Sequence, residues 1–272
     1  MTSTDAETAP GPPGDAPLRR DVSFLGHLLG RVIVEQEGPE LLEVVETLRA
    51  GYRTARAEET SEEEATALAD DADALVAGLD DVATLGVIRA FSVYFQLVNA
   101  AEQHHRVRRR RQRDAERAEE RRFQPESLGA ARSALAARGV PADRVQRALS
   151  RLSVELVATA HPTEVSRRSV LGRHLRVDAC LERLDNPAAT PGERRASTDE
   201  LLEQITLRWQ TDPRPHRAPR VVDDIDRNLF FFERVLIDET VEVLEALERH
   251  VDARYPGLTL PRRPLTYGSW AG

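Results

Sequence analysis

The segment Ala158-Thr159-Ala160-His161-Pro162-Thr163-Glu164, followed by Arg167-Arg168, holds the residue types most able to do chemistry in this sequence. Val154, Leu156, Val157 and Ala158 form a short β-favouring run that ends in Thr159-Ala160-His161-Pro162. Proline forbids a continuing ladder and suits the first turn of a helix. Thr163 to Arg168 would open that helix, and Val170, Leu171, Leu175 and Leu181 continue it. The prediction is strand, turn, helix, with His161 at the C-terminal end of the strand. A neutral imidazole held there can act as a general base near physiological pH. Arginines beside the amides of a helix start suit an anion. The same pattern also fits a structural histidine with a satisfied ring, and arginines paired with surface carboxylates. Spacing alone leaves both readings open.

The elements that must position this segment are mostly helical by pattern. Residues 1–20 read as a disordered tail, polar and rich in proline, and residues 21–272 as the folded part. Asp21 stands as a helix cap before Val22, Leu25, Leu28, Leu29 and Val32, which recur at helical spacing. Gly38-Pro39 breaks that helix, and Leu41, Val44, Val45 and Leu48 begin another. Glu58 to Ala77 predicts an acidic helix with Leu68, Leu75 and Leu79 on a narrow stripe. Val82 to about Arg122 is the longest helical pattern. Its first half, with Ile88, Phe91, Tyr94, Phe95, Leu97 and Val98, is apolar nearly all round, which predicts burial amid other helices. Its second half is almost entirely charged. Shorter helices are expected near Leu128–Arg138, Ala142–Leu152 and Leu201–Trp209, and a long one from Val221 to Val251. Leu265 to Trp270 reads as a second strand running into a glycine loop, which the sequence leaves cut at Gly272. That suggests a piece of a longer polypeptide.

Composition narrows the chemistry. Aromatic residues make up 5% of the chain, so the core must rest on Leu, Val, Ile and Ala. A net charge of −8 argues against nucleic-acid binding by the chain as a whole. All 38 basic residues are arginine, which excludes a Schiff-base or P-loop lysine within these residues. Guanidinium forks still allow phosphate and carboxylate binding. The lone Cys180 can make neither an intrachain disulfide nor, by itself, a thiolate metal site. No secretory leader stands at the start and no stretch reads as a membrane span, so the default expectation is a cytoplasmic protein. Arg108 to Arg111 would resemble a nucleic-acid patch alone, but Asp114, Glu116, Glu119 and Glu120 make a solvated, charge-paired helix the better reading. His104 and His105 are adjacent and cannot share one helix face, which disfavours a metal pair.

Thr159-Ala160-His161-Pro162-Thr163-Glu164 with Arg167-Arg168 resembles the histidine signature of phosphoenolpyruvate carboxylases. Other segments resemble the same family in the same order: Leu25 to Gly30, Phe91 to Gln103, Trp209-Gln210-Thr211-Asp212, and Gly268-Ser269-Trp270-Ala271-Gly272. The resemblance covers residues 22 to 272. It implies a mostly α protein: an N-terminal helical part plus the first strands of a TIM-like barrel, with strands near 154–160 and 264–269. It further implies carboxylation of phosphoenolpyruvate by bicarbonate to oxaloacetate and phosphate, in a homotetramer that uses Mg²⁺ or Mn²⁺ and no biotin. On this resemblance His161 is the catalytic base and Trp270 lies toward the bicarbonate end of the site. Arg167 and Arg168 match a pair that in some members holds a sugar-phosphate activator. Metal ligands are expected outside these residues, and the piece alone should be inactive.

The chain departs from the family after Trp209-Gln210-Thr211-Asp212. Where the family often has Glu-Ile-Arg-Arg, it has Pro213-Arg214-Pro215-His216-Arg217, leaving Arg214 or Arg217 as the candidate for a further activator arginine. The rival reading from another class is a non-catalytic helical interaction protein, with the arginine run as its binding surface.

Overall fold

The computed structural model describes residues 15–57, 60–119, 123–159, 168–211 and 220–270. They are mostly helical, and the chain divides into two compact units. The first unit takes residues 1–107 and 172–212, and the second takes 108–171 and 213–272.

In the first unit α1 (Ala16–Glu37) and α2 (Pro39–Ala55) meet at Gly38, whose φ of 96° is a conformation glycine adopts without strain. Pro39 then sets the first turn of α2. The α1 helix begins at Ala16, capped at Asp15 with Pro17 in its first turn. The Asp21 that the spacing marks as a cap sits inside the helix and is buried. Proline at a helix start is the competing signal that fixes the earlier boundary. The third helix, α3 (Glu62–Ala77), starts at Ser61, whose hydroxyl accepts from the Glu64 amide at 3.2 Å.

Next comes α4 (Asp81–Glu119), which supplies the first unit as far as Val107. It buries Val87, Ala90, Val93, Leu97 and Ala101 against Leu25, Leu28, Leu29, Val32 and Ile33 of α1 in a single core cluster. The expectation of burial all round is not met. Val82 is 74% exposed, and Ile88 and Phe95 are each 59% exposed. The helix thus has a covered stripe and an uncovered apolar one among the described residues. Part of it, within Asp81–Glu116, is long and apolar enough by length and composition to cross a membrane, with 28% of the window buried. By length and composition this departs from the expectation that no stretch reads as a membrane span.

Two later helices complete the unit: the part of α7 (Arg168–Asp185) from Gly172 onward, and α8 (Pro191–Trp209). The start of α8 is well ahead of the expected Leu201. Glu193 to Glu200 shows little apolar period, yet Thr190 and Glu193 form a reciprocal capping box with Pro191 between them. Local capping wins over the missing hydrophobic signal. Trp209 closes the helix, fully buried, and its indole N–H donates to Glu37 Oε1 at 3.0 Å. The Arg89 guanidinium lies 5.6 Å over the same ring.

In the second unit α5 (Leu128–Ala137) and α6 (Ala142–Leu149) precede β1 (Val154–Thr159). Then α9 (Val221–Phe231), a π-helical turn (Phe232–Leu236) and α10 (Ile237–Asp252) run end to end before β2 (Leu265–Trp270). The π turn interrupts what the pattern reads as one helix. Val145, Leu149 and Tyr255 form this unit's core, with Val140, Val251 and Leu258 packed around them.

The two stripes of α4 make opposite predictions. Leu97→Ala should cost about 2–5 kcal/mol through lost contacts and a cavity. Ile88→Ser, on the uncovered side, should change the stability of this chain by no more than roughly 0.5 kcal/mol. Urea denaturation of both variants decides it, and equal losses would refute the assignment of faces.

Candidate active site

The site is built on a parallel strand pair. β1 and β2 run side by side with Val154 opposite Leu265, Leu156 opposite Tyr267, and Thr159 opposite Trp270. Parallel neighbours cannot be joined by a tight turn; they need a crossover, which here includes α7 through α10. A clasp ahead of the strands holds the register. Gln146 of α6 donates its amide N–H to the Thr259 carbonyl and accepts from the Thr259 N–H, each at 2.9 Å. The Val154 N–H donates to the Pro264 carbonyl at 2.9 Å, and the Tyr255 hydroxyl donates to the Val140 carbonyl at 3.0 Å.

β2 is also tied to the helix that leads to it. The ring of Tyr267 stands edge-on to Phe232, the first residue of the π turn, with centroids 4.9 Å apart. The Tyr267 hydroxyl shares a hydrogen bond with the Thr240 hydroxyl of α10. Its neighbour Gly268 pairs with Val157. A Cβ on Gly268 would lie 3.3 Å from Val157 Cγ2 and 2.8 Å from Glu155 Oε1, so a larger residue here would have to displace those two side chains. Sequence reasoning did not foresee the Tyr267–Phe232–Thr240 anchor. A π turn leaves no signal in apolar spacing.

The site residues fall as follows. His161 and Arg167 lie outside the described residues, as do Arg214 and Arg217. Arg168 is the first residue of α7 and Trp270 the last of β2, with their side chains outside the described part. What the structure brings together is the backbone. Thr159, two residues before His161 in the sequence, pairs with Trp270, so the two motif strands finish at the same edge.

Other motif residues prove to be structural. Trp209 of Trp-Gln-Thr-Asp is a core residue tied to α1, and Gln210 donates to Gln36 at 2.8 Å. Leu25, Leu28 and Leu29 of the first motif are core as well. His104 meets Asp185 of α7 at 2.8 Å, whereas His105 faces Asp15 at 3.7 Å, so the two rings reach different carboxylates. Burial pushes the Cys180 thiol up to about 11, which leaves it protonated and unreactive at neutral pH. Among the described residues no group of three or more His, Cys, Asp or Glu could hold a metal ion, so the implied Mg²⁺ or Mn²⁺ has no ligand set there.

Comparison with known proteins identifies the family. Residues 18–272 match the sequence model of the family described as phosphoenolpyruvate carboxylase. The chain is 38% identical over 260 residues to a phosphoenolpyruvate carboxylase of Xanthomonas campestris pv. campestris, with 95% of this chain and 28% of the relative covered. It is 33% identical over 264 residues to one from Acinetobacter baumannii, again with 95% and 28% covered. A third, from Rhodothermus marinus, is 35% identical over 257 residues, covering 94% of this chain and 27% of the relative. The chain therefore spans a little over a quarter of the length of the curated relatives it matches. By the match over nearly all of its residues, the chain belongs to the phosphoenolpyruvate carboxylase family.

Proposed function

We propose that this chain is the N-terminal part of an enzyme that carboxylates phosphoenolpyruvate with bicarbonate, giving oxaloacetate and phosphate. The observation that carries the reading is the register of β1 and β2, which ends β1, two residues ahead of His161 in the sequence, and the Trp270 strand at one edge. Barrel enzymes place their chemistry at the C-terminal ends of parallel strands. The exposed Val154, Leu156 and Val157 of β1 fit a sheet that further strands and helices complete, because parallel sheets are normally covered on both faces. The proposed whole is a TIM-like barrel behind a helical N-terminal part.

In the proposed reaction, bicarbonate attacks the phosphorus of phosphoenolpyruvate. The bond to the enol oxygen breaks, leaving carboxyphosphate and the enolate of pyruvate. His161 takes the carboxyl proton, carboxyphosphate divides into CO₂ and phosphate, and the enolate carbon attacks CO₂. A base that works near neutral pH is what this proton transfer requires. Trp270 is assigned to the bicarbonate end. Arg167 and Arg168 are assigned to an anionic activator, since guanidinium forks bind phosphate oxygens in pairs. The enzyme is assigned Mg²⁺ or Mn²⁺, no biotin, a homotetrameric state, a cytoplasmic location, a role in feeding the tricarboxylic acid cycle, and neither nucleic-acid nor membrane partners. The net charge of −8 supports the absence of nucleic acid.

Intact protein given phosphoenolpyruvate and Mg²⁺ should form oxaloacetate only when bicarbonate is present, as read by coupled reduction to malate. The 272-residue chain alone should form none above a blank. Oxaloacetate from the isolated chain, or turnover of phosphoenolpyruvate indifferent to bicarbonate, would contradict the proposal.

Replacing Arg167 and Arg168 together with glutamine should abolish activation by sugar phosphates and leave basal turnover largely intact. Titration of activator at fixed substrate gives the answer. An equal fall in basal turnover would place the pair in the active site or the fold instead.

A further inference from the structure

A second candidate site lies wholly within the first unit, where α4, α7 and α8 meet. Their apolar stripes carry polar residues at positions that helical spacing turns inward. On α8 the buried run is Leu201, Gln204, Ile205, Arg208 and Trp209. On α7 Arg173 and His174 precede Val177 by one turn, and on α4 Gln96 sits between Val93 and Leu97. These side chains line a pocket whose walls include Val93, Leu97, Val177 and Ile205.

The polar groups there are not satisfied by the protein. Gln204 is 2% exposed and Arg208 8% exposed, yet Gln204 Oε1 and Arg208 Nη1 have no hydrogen-bond partner among the described residues. Gln96 Oε1 and His174 Nε2 are likewise buried and orphaned. Buried polar atoms nearly always have partners, and an orphaned guanidinium nitrogen is the costliest of this set. No carboxylate pairs with Arg208 or Arg173 among the described residues. Arg173 donates to the Leu207 carbonyl at 2.9 Å and to the Thr211 hydroxyl, bonds that bring no negative charge. Burial, and then the Arg173 charge beside it, holds Arg208 below the usual guanidinium value. Burial, and then Arg208, lowers His174, so its ring is neutral at pH 7.

Two neighbouring guanidiniums in a half-apolar pocket without a counter-ion call for an anion. Either glutamine amide can be turned end for end to present an N–H to the same space. The apolar walls favour an anion with a hydrocarbon part over phosphate, which has nothing to place against Val93 or Ile205 and costs more to desolvate. We propose that this pocket binds a small monocarboxylate, its carboxylate on Arg208 and His174 and its short apolar stem against Val93, Val177 and Ile205. The assignment does not depend on the carboxylation reading, because none of its residues has a role in that reaction.

The test is calorimetric titration of the intact protein with propanoate, with inorganic phosphate as the comparison anion. Saturable propanoate binding is expected, weakened roughly tenfold or more in Arg208→Gln. Arg208→Lys, which keeps the charge, should retain most of it. Ala100→Leu narrows the pocket at a half-buried wall without touching a cation and should abolish binding in a protein whose circular dichroism and melting temperature stay normal. That variant keeps the test decisive if Arg208→Gln fails to fold. Absence of binding, unchanged affinity in Ala100→Leu, or phosphate binding as tightly as propanoate would each overturn the proposal.

Discussion

The structure around the candidate active site depends on one constraint: two parallel strands, far apart in sequence, must be held in a single register. A slip by one residue would turn every side chain of β2 to the other face and move Trp270 away from its place opposite Thr159. Backbone pairing between two strands cannot enforce this alone, since a small isolated sheet is at best marginally stable. The register is set from outside the sheet. Gln146 holds Thr259 by two hydrogen bonds before the strands begin, and Phe232 and Thr240 hold Tyr267 within β2. The π turn contributes here, since it carries the Phe232 ring that meets Tyr267. Single π turns inside α-helices recur at functional sites.

The first unit solves a different problem. Its core is a conventional helical cluster in which each fully buried leucine or isoleucine contributes about 1.5–3 kcal/mol by leaving water. Two motifs that resemble catalytic-family signatures serve this core. Trp209 is buried beside Glu37 and Arg89, and its indole N–H is satisfied, as a buried tryptophan requires. A match to a family motif therefore marks residues that the fold needs as well as residues that react.

Much of the fold was legible because local signals agreed. Gly38-Pro39 ended one helix and opened the next, and both short β-rich runs, Val154–Thr159 and Leu265–Trp270, are strands. Misreadings arose where two signals competed. At the chain's first helix, Pro17 and Asp15 outweighed Asp21, and at α8 the Thr190 capping box outweighed a polar stretch. Apolar residues on all sides of α4 promised burial, but spacing cannot say whether a partner for the second face is present. The adjacency of β1 and β2 is a long-range pairing that no window of sequence contains. Gln204 and Arg208 could have been noticed as polar residues on an apolar stripe. The roles proposed for Arg167 and Arg168 rest on the motif alone, and those proposed for His161 and Trp270 on the motifs together with the pairing of Thr159 and Trp270.

The central claim is that the β1 end carries a base used after carboxyphosphate has formed. Changing His161 to asparagine keeps a similar shape and removes the base near neutral pH. The measurement is the ratio of pyruvate to oxaloacetate formed from phosphoenolpyruvate by the folded variant of the intact enzyme. If His161 removes the carboxyl proton, oxaloacetate collapses while bicarbonate-dependent release of phosphate and pyruvate continues at a reduced rate, so the ratio rises steeply. An unchanged ratio with normal turnover would contradict the account, and so would equal loss of both products together with a lower melting temperature, the signature of a histidine that only supports the fold.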